Sequence, residues 1–208
     1  MSIVTYNNRS IRNVTSISGA AQSLTHIKTL TASSSATLSF VDGSSDVVFD
    51  STYPIYLFKF YNIHPASDAE NFQFNASADT GSNYNVTKTT TAFYAFHQAS
   101  NGTTSLTYST GSDLAQGTGF FKIMTTLGND NEGSGCGELY LFAPSSTTFV
   151  KHFMSDCNNW HSNNSNSTVN WRAAGYCNTT TAIDGVQFKM DSGNIDAGTI
   201  KLYGIKDS

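Results

Sequence analysis

Charge is scarce in this sequence. Of its 208 residues only 12% are Asp, Glu, Lys or Arg, about half the ~25% usual in soluble domains. Lys and Arg together number 11 and form no run, whereas duplex nucleic acid asks for a clustered positive footprint, so no nucleic-acid partner is expected. Glutamate occurs only as Glu70, Glu132 and Glu138, and nothing in the spacing selects a glycosidase pair. Asp42, Asp46, Asp79, Asp130 and Asp196 sit where turns are expected, bonding local backbone. His26, His64, His97, His152 and His161 are scattered, and no G-x-S-x-G elbow accompanies them. Cysteine is limited to Cys136, Cys157 and Cys177, too few and too odd for a disulfide framework. The expectation is a chain that folds in a reducing cytoplasm with its thiols buried. Cys157 and His161 are one closely spaced pair where a structural zinc site usually brings two, so no metal and no cofactor is expected. Asp42, Asp46 and Asp50, and residues 129–132, depart from the EF-hand loop and read as turns. No stretch approaches the roughly 20 apolar residues of a membrane span, so no membrane insertion is expected. The first residues lack the apolar core of a secretion signal. No amphipathic helical pattern occurs.

What remains is rich in Asn, Ser, Thr and Gly, with 12% aromatics, mostly Phe and Tyr. Aromatic and β-branched residues favour strands. Val186, Phe188 and Met190 alternate with Gln187 and Lys189, the period of a half-buried strand. Ile200 and Leu202 repeat the pattern, and the Gly-bearing link between them predicts an antiparallel pair. In the run from Tyr53 to Ile63 both faces are largely apolar, which predicts a central strand, ended by His64-Pro65. Further strands are expected over 26–30, 36–41, 72–76, 84–97, 106–108, 120–127, 138–142, 148–154 and 171–177. The total is about ten short strands at ~8–12-residue spacing, the rhythm of a sandwich or jelly roll. The fold expected is all-β: an antiparallel, jelly-roll-like β-sandwich over residues 24–208, with an extended N-terminal arm over residues 1–23.

Two regions stand apart. Ile3, Val4, Tyr6 and Ile11 are the apolar residues of the arm, and they are the candidates for docking it onto another protein by adding a strand. Residues 156–170, DCNNWHSNNSNSTVN, read as a long polar loop. Trp160 and His161 lie in it and Trp171 just follows it. An exposed Trp over an amide-rich loop suits stacking on a sugar ring. The plainer readings are that Trp171 is core, that Trp160 pins the loop, and that the loop is a subunit contact.

Several phrases carry a resemblance across the length of the chain. "MSIVTYNNRSI", "YLFKFYNIHPASDAENFQF", "LYLFAPSSTTFVKHFMS" and "NTTTAIDGVQFKMDSGNIDAGTIKLYGIK" resemble a family of small virion structural proteins of marine tailed bacteriophages, notably cyanophages. The resemblance implies a particle component with no enzyme activity: a capsid decoration or head-fibre protein, or a tail-fibre-like component. It implies assembly in the host bacterial cytoplasm, residence in the virion and other virion proteins as partners. A homo-oligomer is expected, with a trimer the form that cyclic symmetry suggests. The alternative expectation is a receptor- or glycan-binding module of a phage fibre, with a host surface glycan as partner.

Overall fold

The computed structural model describes residues 24–162 and 167–206. Ile3, Val4, Tyr6, Ile11 and the rest of the expected arm therefore lie outside the described residues. The described chain is all-β. Its twelve strands are β1 (Leu24–Thr31), β2 (Leu38–Val41), β3 (Ile55–Pro65), β4 (Glu70–Ser77), β5 (Lys88–Gln98), β6 (Thr104–Tyr108), β7 (Phe121–Leu127), β8 (Gly135–Phe142), β9 (Lys151–His161), β10 (Ser167–Cys177), β11 (Gly185–Met190) and β12 (Ile195–Ile205).

Every ladder is antiparallel, and the strands form two layers. The larger runs β1-β12-β3-β8-β9-β10-β5-β6; the smaller runs β7-β4-β11-β2. The layers join at one corner, where Leu127 of β7 pairs with His161 of β9. Successive strands repeatedly cross between layers, which gives the sandwich its jelly-roll character.

Alternation decides which side chains fill the space between layers. Tyr56, Phe58 and Phe60 of β3 are buried. At Asn62 the backbone turns to φ 51° and the pairing with β8 skips from Phe60 to Ile63. That bulge shifts the inward phase by one residue, so Ile63 also enters the core. Phe188 of β11 is the hub. Its ring lies 5.2 Å from Phe58 and 5.2 Å from Phe60 in the opposite layer, edge-on to both. Phe74 and Phe153 meet edge-on across the layers at 4.9 Å. Such contacts add about 0.5–1.5 kcal/mol each beyond area burial.

The central position of β3 is as expected, between β12 and β8. The closing pair is not. β11 pairs with β4 and β2, while β12 pairs with β1 and β3. The link between them is an arch from one layer to the other, because Phe188 must face β3 rather than lie beside it. Ser192 N–H donates to Glu70 at 3.0 Å, and the Asn194 amide donates to Ser34 O at 2.9 Å. The expected long loop over residues 156–170 is also corrected. Asp156–His161 belong to β9 and Ser167–Asn170 to β10. Their polar side chains bond across the ladder: Asn170 to Asp156 at 2.6 Å and Asn158 to Thr168 at 2.8 Å.

Two lysines lie inside the sandwich. Cys177 pairs in register with Lys88 on one side and Lys151 on the other, and both lysines are fully buried. Oxygen acceptors replace their water. Lys88 Nζ donates to Asn75 Oδ1 at 2.5 Å and Val86 O at 2.8 Å; Lys151 Nζ donates to Thr181 O at 2.7 Å and Thr179 O at 3.1 Å. The thiols are not all buried, contrary to expectation. Cys157 and Cys177 are, but Cys136 is exposed on the outward side of β8.

Candidate functional site

Where β7 meets β9 the two layers part and leave an open pocket of about 280 Å³. One wall is aromatic and follows from strand period alone. The inner face of β5 presents Tyr94 and Phe96, and the inner face of β10 presents Val169 and Trp171. Register sets Trp171 opposite Tyr94, and their rings stack at 5.4 Å and 8°. At its Lys88 end β5 is covered by β4 and by the segment that sets Leu114 N–H against Thr90 Oγ1. At its other end this cover is lost, so Tyr94 and Phe96 remain half-buried.

The facing wall is polar. It consists of Lys122, Thr125 and Thr126 from β7, with Ser109, His161 and Ser167 completing the lining. Thr126 holds φ at 49°, an uncommon conformation for a β-branched residue. It sits where the pairing of β7 with β4 slips. The Asn71 side chain spans this bulge, accepting from Thr126 N–H at 3.1 Å and Thr125 Oγ1 at 3.2 Å. The Asn159 amide donates to Thr125 O at 2.8 Å, and Ser162 N–H donates to Thr126 O at 3.1 Å. Four hydrogen bonds from Asn71, Asn159 and Ser162 thus fix the bulge and the two adjacent threonines on it.

Lys122 Nζ lies over the Trp171 ring, 5.5 Å from its centroid, a cation–π arrangement. Burial lowers its pKa from the ordinary lysine value, and the Asp191 carboxylate partly restores it. Trp171 is 2% exposed, and its indole N–H is buried without an acceptor among the described residues. A buried donor left unpaired costs about 1–3 kcal/mol.

Of the three candidates from sequence, the structure brings two together. His161 and Trp171 both line the pocket. Trp171 is also the core residue that the plainer reading described, at the base of the wall. Trp160 points to the other side of β9, where its ring fills the space above Gly128 and Gly133. It pins the 128–133 loop and has no part in the pocket. Sequence reasoning missed Tyr94, Phe96, Lys122, Thr125 and Thr126. Period 2 through β5 was a signal for the first two. The bulge that aims the threonines has no local signature, because Asn71 and Asn159 hold it from afar.

The outer face of the larger layer carries a second feature. Ile55, Phe93, Tyr140, Phe142 and Met154 line a shallow, largely apolar groove of about 430 Å³, with Asp156 and Arg172 on its rim. Cross-strand register aligns Leu57, Tyr140, Met154 and Ala174 in one row. Met154 is 56% exposed and Phe93 44%. Along the next row Arg172 pairs with Asp156 at 2.6 Å and Lys59 with Glu138 at 3.5 Å. Among the described residues no cluster of three His, Cys, Asp or Glu could hold a metal. No known protein family, curated protein or solved structure gives a match to this chain.

Proposed function

We propose that the chain is a non-enzymatic structural protein of a bacteriophage virion, a capsid decoration, head-fibre or tail-fibre-like component. Residues 1–23 attach it, and the sandwich is displayed on the particle. The observation that carries this reading is the outer face of the larger layer. Phe93 and Met154 stand exposed there beside the half-buried Ile55, Tyr140 and Phe142, with ion pairs along the neighbouring row. An apolar patch rimmed by polar groups suits a protein contact. In a virion component its partner is another copy or a neighbouring virion protein. The sequence phrases that resemble those of virion structural proteins support the same reading, as does a surface poor in ions to desolvate.

The test is immunogold microscopy of phage particles with antibody against residues 24–208. Label over the capsid indicates decoration or a head fibre, and label at the tail indicates a fibre component. Particles without label would overturn the virion assignment. In the same phage, deletion of residues 1–23 is expected to abolish incorporation while the sandwich still folds.

A further inference from the structure

We infer that the pocket between β5, β7 and β10 is a saccharide site, and that it takes a single pyranose unit bearing a carboxylate, as in a uronic acid. This goes beyond a structural role, because a wall for assembly needs no polar recess. Four observations on separate elements converge on it.

The first is size. At about 280 Å³ the pocket lies just below the usual range of ligand sites, roughly 300–1,000 Å³. It admits one ring rather than an oligosaccharide lying along a groove. The second is the pairing of walls. A pyranose has apolar C–H faces and a polar equator of hydroxyls. Phe96 and Tyr94 offer apolar surface on one side, while the Thr126 hydroxyl, bonded to a Thr125 hydroxyl that Asn71 anchors, lies across the gap. A purely apolar ligand would leave those hydroxyls desolvated, and a purely polar one would waste the aromatic wall.

The third is the base of the aromatic wall. Trp171 is almost wholly buried there, stacked on Tyr94 at 5.4 Å with Lys122 Nζ over its ring. The aromatic wall is therefore held in place before a ligand arrives. The fourth is charge. Lys122 is the cation of the lining, and no carboxylate is part of that lining. Lys59 and Arg172 each have a carboxylate within ion-pair distance; Lys122 has none among the described residues. Asp191 acts on it only from farther away. An ammonium so placed, partly desolvated and set against an indole, gains most from an anionic group on the ligand. The rigid bulge at Thr125–Thr126 means that the hydroxyls are positioned before the ligand arrives, which limits the ordering cost of binding.

The chain has two tryptophans, so Trp160→Phe leaves Trp171 as the sole indole reporter. In that background, methyl β-glucuronide is titrated against indole fluorescence and by calorimetry, with methyl β-glucoside as the neutral control. The expected result is saturable change with the glucuronide, about tenfold weaker binding of the glucoside, and loss of that preference in Lys122→Gln. Thermal unfolding checks that each variant folds. Should Lys122→Gln fail to fold, Phe96→Ser takes its place and is expected to weaken both glycosides. Equal binding of the two glycosides, unchanged in Lys122→Gln, would overturn the acidic assignment. No response to either glycoside at millimolar concentrations would overturn the site.

Discussion

At residue 128 a side chain would need the space that the Trp160 ring occupies. A Cβ there would meet that ring, and one at Gly133 would lie 2.6 Å from it. Gly128→Ala is therefore expected to destabilise the protein by about 1–3 kcal/mol, the usual cost of overpacking, read from urea denaturation. Lys88 presents the opposite case, a residue whose removal should help. Burial pushes its pKa down to about 8 from 10.5. Between those values the unfolded chain holds a proton that the folded chain has released, so stability rises with pH through that window. Cys177 limits the gain, since burial raises its thiol from 9.0 to about 11. Above the lower of these the unfolded chain loses a proton that the folded one keeps, and stability falls. Lys88→Met is expected to stabilise the fold at neutral pH by about 2–3 kcal/mol, at ~1.4 kcal/mol per unit of pKa, and to flatten the rise above pH ~8. Asn75 Oδ1 keeps the Ala76 N–H as a donor at 2.8 Å, whereas Val86 O loses the ammonium that it accepts from, which offsets part of the gain. Urea titrations at neutral pH and near pH 9 check both; a destabilised variant would mean that the ammonium's hydrogen bonds outweigh its desolvation.

The elements depend on how the chain crosses between layers. At the β11–β12 arch Glu70 and Asp191 share a hydrogen bond. Glu70 is pushed up to about 7 by burial and by that bond, from an ordinary 4.5. Its folded pKa lies above its unfolded one, so the folded chain holds the extra proton between them and stability falls as pH rises through that window. Glu70→Gln keeps a donor for Asp191 without titrating. Melting temperatures at about pH 5 and pH 7.5 are expected to differ less in the variant than in the parent; an unchanged difference would place the titration elsewhere. Such arches explain what was legible in the sequence. Strand type followed from period 2, and β3 read as central because both its faces are apolar. Pairing was not legible at β11 and β12, because a Gly-bearing polar link serves a hairpin and an arch equally well. The β9–β10 hairpin read as a loop because Asn159 and Ser167 face inward where apolar residues usually announce a strand, and Asn159 is there to hold the β7 bulge. Trp171 and His161 were legible as site residues by type. Lys122 was not, because only the approach of β7 to β10 sets it over the indole.

For the whole molecule, the consequential surface is the outer face of the larger layer. Tyr140, Met154 and Ala174 lie in register on β8, β9 and β10, with Phe93 on β5 and Ile55 on β3 completing the groove. Five strands at ~4.8 Å spacing make an apolar strip about 20 Å across. Individual exposed apolar residues are ordinary, but a contiguous strip of this breadth on one face of a sandwich suits a contact surface. The flanking row is already neutralised within the chain, Arg172 by Asp156 and Lys59 by Glu138. An interface here therefore buries apolar area at its centre and leaves paired ions at its rim, the arrangement that costs least to desolvate. In the virion reading the proteins displayed on one particle are identical, and a second copy is the most abundant partner available. Phe93→Glu combined with Met154→Glu sets one charge at the edge of the strip and one at its centre without touching the core, since both side chains already stand in solvent. The parent protein is expected to sediment as a homo-oligomer, a trimer under cyclic symmetry, and the double variant as a monomer with unchanged melting temperature. A parent that is monomeric at high concentration would rule out self-association through this face. The strip would then belong to a different virion protein, and incorporation of the double variant into particles would become the deciding assay.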